Sequence, residues 1–258
     1  MLWIGTSGWQ YAHWKAAFYP AEVKQAKWLE FYAERFSTVE LNNAFYRLPE
    51  DVTFSAWAER TPADFVMAVK MSRFLTHIKR LADPEEPVQR FLGRASALGP
   101  KLGPVLLQLP PQFAINLERL ERTLALFPKR VRVAVEFRHH SWFTDDVRRL
   151  LEAHGAALCL ADSPYRRTPN WRTADWGFLR FHEGTGSPRP CYRSEALQSW
   201  IETLSAGWSH DDDVYVYFNN DFRACALHDA VLFADAARAA GFATTRVPSL
   251  DEVRVSRA

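Results

Sequence analysis

Long apolar runs are missing from this sequence. No segment approaches the ~20 residues of a membrane-spanning helix, which excludes that class and any membrane partner. One-sided charge is missing too: 32 Lys and Arg face 30 Asp and Glu, and a net +2 is too small to point to a polyanionic partner by itself. Cysteine is scarce. Cys159, Cys191 and Cys225 have no metal-ligand spacing and leave one thiol unpaired, so a reducing interior is expected. The opening MLWIGTSGWQ has neither the basic lead nor the apolar centre of a secretory signal, and a soluble, cytoplasmic protein is expected. No linker, low-complexity tract or repeat marks a boundary. No G-x-G-x-x-G loop follows the first apolar run, which weakens a dinucleotide cofactor; no nucleotide motif is present.

Aromatic residues are abundant, with 10 Trp, 8 Tyr and 18 Phe. Trp9, Tyr11, Trp14, Tyr165 and Trp171 sit among polar neighbours, where they either cap a core beneath long loops or form a stacking surface. Short apolar runs alternate with amphipathic segments. The runs at 2–5, 38–42, 65–71, 105–109, 131–137, 156–162, 177–182 and 214–219 read as strands. Helices are expected over 25–36, 52–60, 87–98, 117–127, 144–154, 195–205 and 225–240. Asn116 and Ser194 are candidate N-caps, and Gly155 and Gly241 stand where a left-handed residue ends a helix. Strand followed by helix, repeated over 258 residues, predicts an α/β fold: one (β/α)8 TIM-like barrel. Its core runs from about 2 to 241, with 242–258 as a C-terminal tail. The segment SPYRRTPNWRTADW between Asp162 and Gly177 lacks helical period, so the helix after strand six is expected to be irregular or missing.

The strand VAVEFR ends on charge, and side-chain alternation explains how that is tolerated. Val131, Val133 and Val135 share one face; Ala134, Glu136 and Arg138 share the other, toward the barrel axis. The same reading turns Glu40, Asn42, Lys70, Gln108, Arg180 and His182 inward, while the parity of Thr6, Ser7, Asp162, Asn219 and Asn220 is ambiguous. These positions lie at strand C-terminal ends, the rim on which barrel sites are built. The bland alternative is an internal plug in which Glu40 and Glu136 neutralise Lys70 and Arg180. Against it, buried charge is costly, and apolar side chains of equal volume serve stability as well.

At these residues the sequence resembles the YecE-like family, catalogued as domain of unknown function 72. The matching blocks are GTSGWQYAHWKAAFYP, FSTVELNNAFYRLP, FVMAVKMSRFLTHIKRL, LGPVLLQLPPQF, VAVEFRHHSW, WGFLRFHEG and VYVYFNND, from Gly5 to about Asp229. Ala44 departs from the threonine usual there, and the SPYRRTPNWR loop is a region expected to vary. The resemblance implies an eight-stranded barrel with polar strand ends around its mouth, and no particular reaction.

Three chemistries suit such a rim. In the first, a barrel enzyme (hydrolase, lyase or isomerase) acts on a small anionic or polar ligand of phosphate, carboxylate or sugar type. Glu136 and Glu40 are then candidate acid and base, and Lys70 an oxyanion stabiliser or Schiff-base amine. Asn42, Tyr46, Gln108, Arg138, Trp142, Arg180, His182, Asn219 and Asn220 are candidate ligand-binding residues. In the second, not favoured, Glu40, Glu136, Asp162 and His182 hold a divalent metal, although Lys70 and Arg180 would repel it. Here His77, His139 and His140 are read as loop hydrogen-bonding residues. In the third, the mixed loop of Tyr165, Arg166, Arg167, Trp171, Arg172 and Trp176 binds nucleic acid.

Overall fold

The computed structural model of the chain describes residues 1–164 and 166–255. Its strands are β1 (Leu2–Thr6), β2 (Thr38–Leu41), β3 (Val66–Lys70), β4 (Leu102–Gln108), β5 (Val133–Glu136), β6 (Ala157–Ser163), β7 (Arg166–Arg167), β8 (Gly177–Phe181) and β9 (Val214–Phe218). Short β7 turns back antiparallel on β6; the other eight are parallel. They follow one another around the sheet, and the β5–β6 pairing closes them into a barrel.

Alternation along each strand builds two cores. Val39, Leu41, Val69, Leu107, Val135, Leu160, Leu179 and Val216 face outward and pack beneath the helices. Ala68, Leu106, Ala134, Ala157, Cys159, Phe178, Tyr215 and Tyr217 fill the barrel itself. Gly5 is required by this packing: a Cβ there would stand 2.3 Å from the carbonyl oxygen of Thr38.

The helices are α1 (Trp28–Arg35), α2 (Asn43–Tyr46), α3 (Asp51–Glu59), α4 (Glu85–Ala95), α5 (Leu117–Leu124), α6 (Asp145–His154), α7 (Ser194–Gly207) and α8 (Cys225–Ala239). Asn116 caps α5 by accepting from the Arg119 N–H at 2.9 Å, and left-handed Gly155 ends α6. Ser194 is a correction: it is the first helical residue of α7, and Arg193 holds the N-cap position without a side-chain bond.

Among the described residues no helix joins β6 to β8. Residues 168–173 run beside β6 instead, and two threonines replace what the chain would otherwise leave unbonded. The Thr168 hydroxyl accepts from Ala161 N–H, and that of Thr173 accepts from Leu158 N–H. Residues 242–255 are not a loose tail. β2 pairs with β1 only at Thr6, and the chain near Thr244 takes the lower part of that β1 edge. Leu2 N–H donates to Ala243 O, and Thr245 N–H donates to Leu2 O. Unpaired strand edges explain this docking. Among the described residues no helix is long and apolar enough to cross a membrane.

Candidate functional site

Two residues beyond the apolar filling, the same inward faces turn ionic. Arg180, 1% exposed, stands between two carboxylates that are fully buried. Its Nη2 donates to Glu40 Oε1 at 2.7 Å and its Nη1 to Glu136 Oε2 at 2.5 Å. Register places Gln108 directly opposite Glu136, and Gln108 Nε2 donates to both carboxylate oxygens at 3.0 Å. Arg138 Nε adds a bond to Glu136 Oε1 at 2.9 Å. Burial by itself would raise the Glu136 carboxyl, but His182, Arg180 and Arg138 around it hold it well below the usual carboxylate range. Glu136 is therefore an ionised anchor at neutral pH.

Glu40 is only half satisfied. Its Oε1 is bound by Arg180, whereas its Oε2 is buried without a hydrogen-bond partner in the protein. Two neighbours share the condition: Ser7 Oγ, at the end of β1, and Asn42 Oδ1, at the end of β2. Ser7 and Asn42 line a cavity of about 150 Å³ together with Trp9, Gln10 and Tyr11. Buried polar atoms without partners are uncommon in folded proteins, and the two that line this cavity call for a bound group.

Lys70 completes the ring from β3. Among the described residues it makes no ion pair, and its Nζ lies 4.2 Å from the centre of the Phe45 ring. Burial, reinforced by the Arg180 charge, lowers its pKa to about 8. His182 Nε2 lies 3.3 Å from Glu136 Oε1 and 3.5 Å from Arg180 Nη1, while Asn219 Nδ2 stands 3.3 Å from its Nδ1. Burial is the chief cause that lowers the His182 pKa. His77 bonds locally to the Thr76 hydroxyl, and burial with the nearby Lys70 charge takes its pKa down to about 4.

Glu40, Asn42, Lys70, Gln108, Glu136, Arg138, Arg180, His182 and Asn219 thus share one end of the barrel. Four residues do not join them. Trp142 is a correction: it is fully buried, its N–H donates to Phe113 O at 2.6 Å, and its ring stacks on Phe137. Tyr46 stands outside the ring on α2, with most of its surface exposed. Asn220 faces outward, donating to Asp229 Oδ2 at 2.7 Å. Asp162 also faces outward, accepting from Trp200 Nε1 at 2.8 Å. With Asp162 turned away and Arg180 between the two glutamates, the four-ligand metal set is not assembled.

Trp9 and Trp14 belong to the outer core. The aromatic and arginine residues of the β6–β8 crossover that are described do not gather at the mouth. Tyr165 and the side chains of Arg166 and Arg167 lie outside the described residues. Arg172 pairs with Asp212 and Trp176 abuts Tyr215, both at the opposite end of the barrel from Glu136. The sulfurs of Cys191 and Cys225 are bonded, which a reducing interior does not lead one to expect, and Cys159 is the one thiol left unpaired, within the barrel. Ser7 and Tyr11 were within reach of the sequence only as a polar residue of uncertain parity and a loop aromatic.

A profile described as "Protein of unknown function DUF72" matches residues 3–252. The protein YecE of Escherichia coli K12 is 32% identical over 245 residues, covering 85% of this chain and 86% of its own. YunF of Bacillus subtilis 168 is 27% identical, covering 86% of this chain and 89% of its own. A crystal structure of a DUF72 family protein from Thermotoga maritima superposes with a TM-score of 0.80 at 29% identity, over 92% of this chain and 99% of that one.

Proposed function

We propose, for a chain that belongs to the DUF72 family of proteins of unknown function, that the barrel mouth takes up a small anionic molecule that also carries a hydroxyl group. The anion, a carboxylate or phosphate, lies against Lys70 and Arg138. The hydroxyl reaches the acceptors left open at Glu40, Ser7 and Asn42. Glu136 and Arg180 hold the floor rigid and do not exchange protons, since each is fixed in its ionised form by several partners. The proton carrier is Lys70, which is poised to change charge just above neutral pH. This reading assigns the acid/base role to the amine rather than to the carboxylates.

One observation carries it. An amine and a carboxylate oxygen of opposite charge share one ring, yet among the described residues Lys70 and Glu40 Oε2 form no hydrogen bond or ion pair, not even with each other. A ligand that bridges them satisfies both. The test is a thermal-shift and calorimetric titration with inorganic phosphate and small hydroxy acids, repeated on Lys70→Met. The expected result is anion-dependent stabilisation that weakens as pH rises through about 8, and about a tenfold or greater loss of affinity in the variant, the scale of one charged hydrogen bond. Binding that Lys70→Met leaves intact, or no stabilisation of the wild type by any of these anions, overturns the reading.

A further inference from the structure

We propose that Cys191, Cys225, His228 and Asp229 form a second centre, a site for a zinc-class divalent ion that the Cys191–Cys225 disulfide closes and its reduction opens. The residues come from two places that folding brings together. Cys191 lies in the loop after β8, while Cys225, His228 and Asp229 occupy the first turns of α8. At spacings i, i+3 and i+4 these three share one helix face. A Cys191 sulfur, a His228 ring nitrogen and an Asp229 oxygen all lie within 4.8 Å of one another, and Cys225 is bonded directly to Cys191. Two thiolates, an imidazole and a carboxylate are a donor set for a borderline-soft tetrahedral ion.

The surroundings orient these donors. Asp229 is fully buried, and its Oδ2 accepts from Tyr192 N–H at 2.8 Å and from Asn220 Nδ2 at 2.7 Å. Such outer bonds fix a ligating carboxylate, and they leave Oδ1 for the ion. His228 Nδ1 already stands 3.1 Å from that oxygen. Two donors on one tetrahedral ion, at bonds of ~2.0 Å, are about 3.3 Å apart, so little movement is required. The loop is built closely around Cys191: a Cβ on Gly184 would lie 2.2 Å from the Cys191 carbonyl oxygen. A disulfide needs only apolar cover. A buried carboxylate beside it is a cost that disulfide packing does not explain.

The change of state balances with a dithiol as reductant. Its two S–H bonds are replaced by one S–S bond, the Cys191–Cys225 bond takes the two electrons and breaks, and each sulfur gains a proton. The incoming ion displaces those protons to solvent as both sulfurs bind as thiolates.

Tag-free protein is reduced with a dithiol, freed of it by gel filtration without oxygen, and titrated with Zn²⁺ or Co²⁺ alone. The expected result is one ion per reduced chain with thiolate-to-cobalt charge-transfer absorption, no uptake by oxidised protein, and none by Cys191→Ser/Cys225→Ser. His228→Ala should bind at least tenfold more weakly. Reduced wild type that takes up no ion, or a double variant that binds as well, overturns the proposal. If the double variant folds poorly, the partly exposed His228 decides alone: unchanged affinity and cobalt spectrum in both His228→Ala and His228→Gln would refute the site.

Discussion

Arginine meets carboxylate at both ends of this barrel, on different terms. At the lower end Arg132 donates to Asp213 Oδ2 at 2.7 Å and to the Tyr215 hydroxyl at 3.1 Å, with about a third of both charged side chains open to solvent. At the upper end Arg180 bridges Glu40 and Glu136 with all three side chains almost wholly buried. Between them the filling is apolar and aromatic, from Leu106 and Ala134 to Phe178 and Tyr217. The lower pair closes an opening at little cost, because its charges keep much of their hydration. The upper triad gives up that hydration and recovers it only through interlocking hydrogen bonds, and Glu40 Oε2 and Arg180 Nε are left out of the recovery. A layer that expensive is expected where binding, rather than stability, set the choice of residues.

Arg180→Met strikes this difference hardest. It leaves two carboxylates buried without their cation, and a loss of about 3–5 kcal/mol in chemical denaturation is expected. Converting all three groups, as Glu40→Gln/Glu136→Gln/Arg180→Met, removes the uncompensated charge and should recover most of that loss. If Arg180→Met is as stable as wild type, the upper layer is not the locked ionic floor described above.

Lys70→Met has a smaller effect on stability and one of opposite sign. Its folded pKa of about 8 lies below the 10.5 of an ordinary lysine. Between those values the unfolded chain holds a proton that the folded chain has released, so stability rises with pH across that window. Below about pH 8 the full cost of charging the buried amine is present. Methionine removes it, so the variant should be the more stable at pH 7, with the gap narrowing toward pH 10.5. Denaturation curves at pH 7 and pH 10 check the sign, and a gap that widens with pH would contradict a desolvated lysine.

Alternation in VAVEFR and in STVEL made Glu136 and Glu40 legible as neighbours before any coordinates, because a strand between two packed layers offers only two directions. Where strands ended raggedly the same logic lost its phase. Asn219 and Asn220 are adjacent, and only the run of β9 to Phe218 shows that the first turns inward to His182 and the second outward to Asp229. Asp162 was assigned to the mouth for want of that phase. Trp142 was misjudged for another reason: the turn after β5 carries it back beneath Phe113, a path no periodicity encodes. The cysteine pair lies 34 residues apart and meets only because the loop after β8 folds on the first turn of α8. The missing helix after β6 could be read from composition, whereas the threonines that stand in for it could not.

The mildest change sharpens the opening contrast from its other side. Arg132→Met breaks an arginine–carboxylate pair of the same chemistry and comparable length as that at Arg180. Its partner Asp213 remains partly hydrated and keeps a hydrogen bond from Trp3 Nε1 at 3.0 Å. With an alternative donor in place and solvent at hand, no buried charge is stranded, and the cost should stay near 1 kcal/mol or below. That residual cost should shrink further in added salt, because an ion pair within reach of solvent is screened while the Arg180 triad is not. Equal losses for Arg132→Met and Arg180→Met, or equal salt dependence, would show that burial does not separate the two ends and that the upper layer is an ordinary plug.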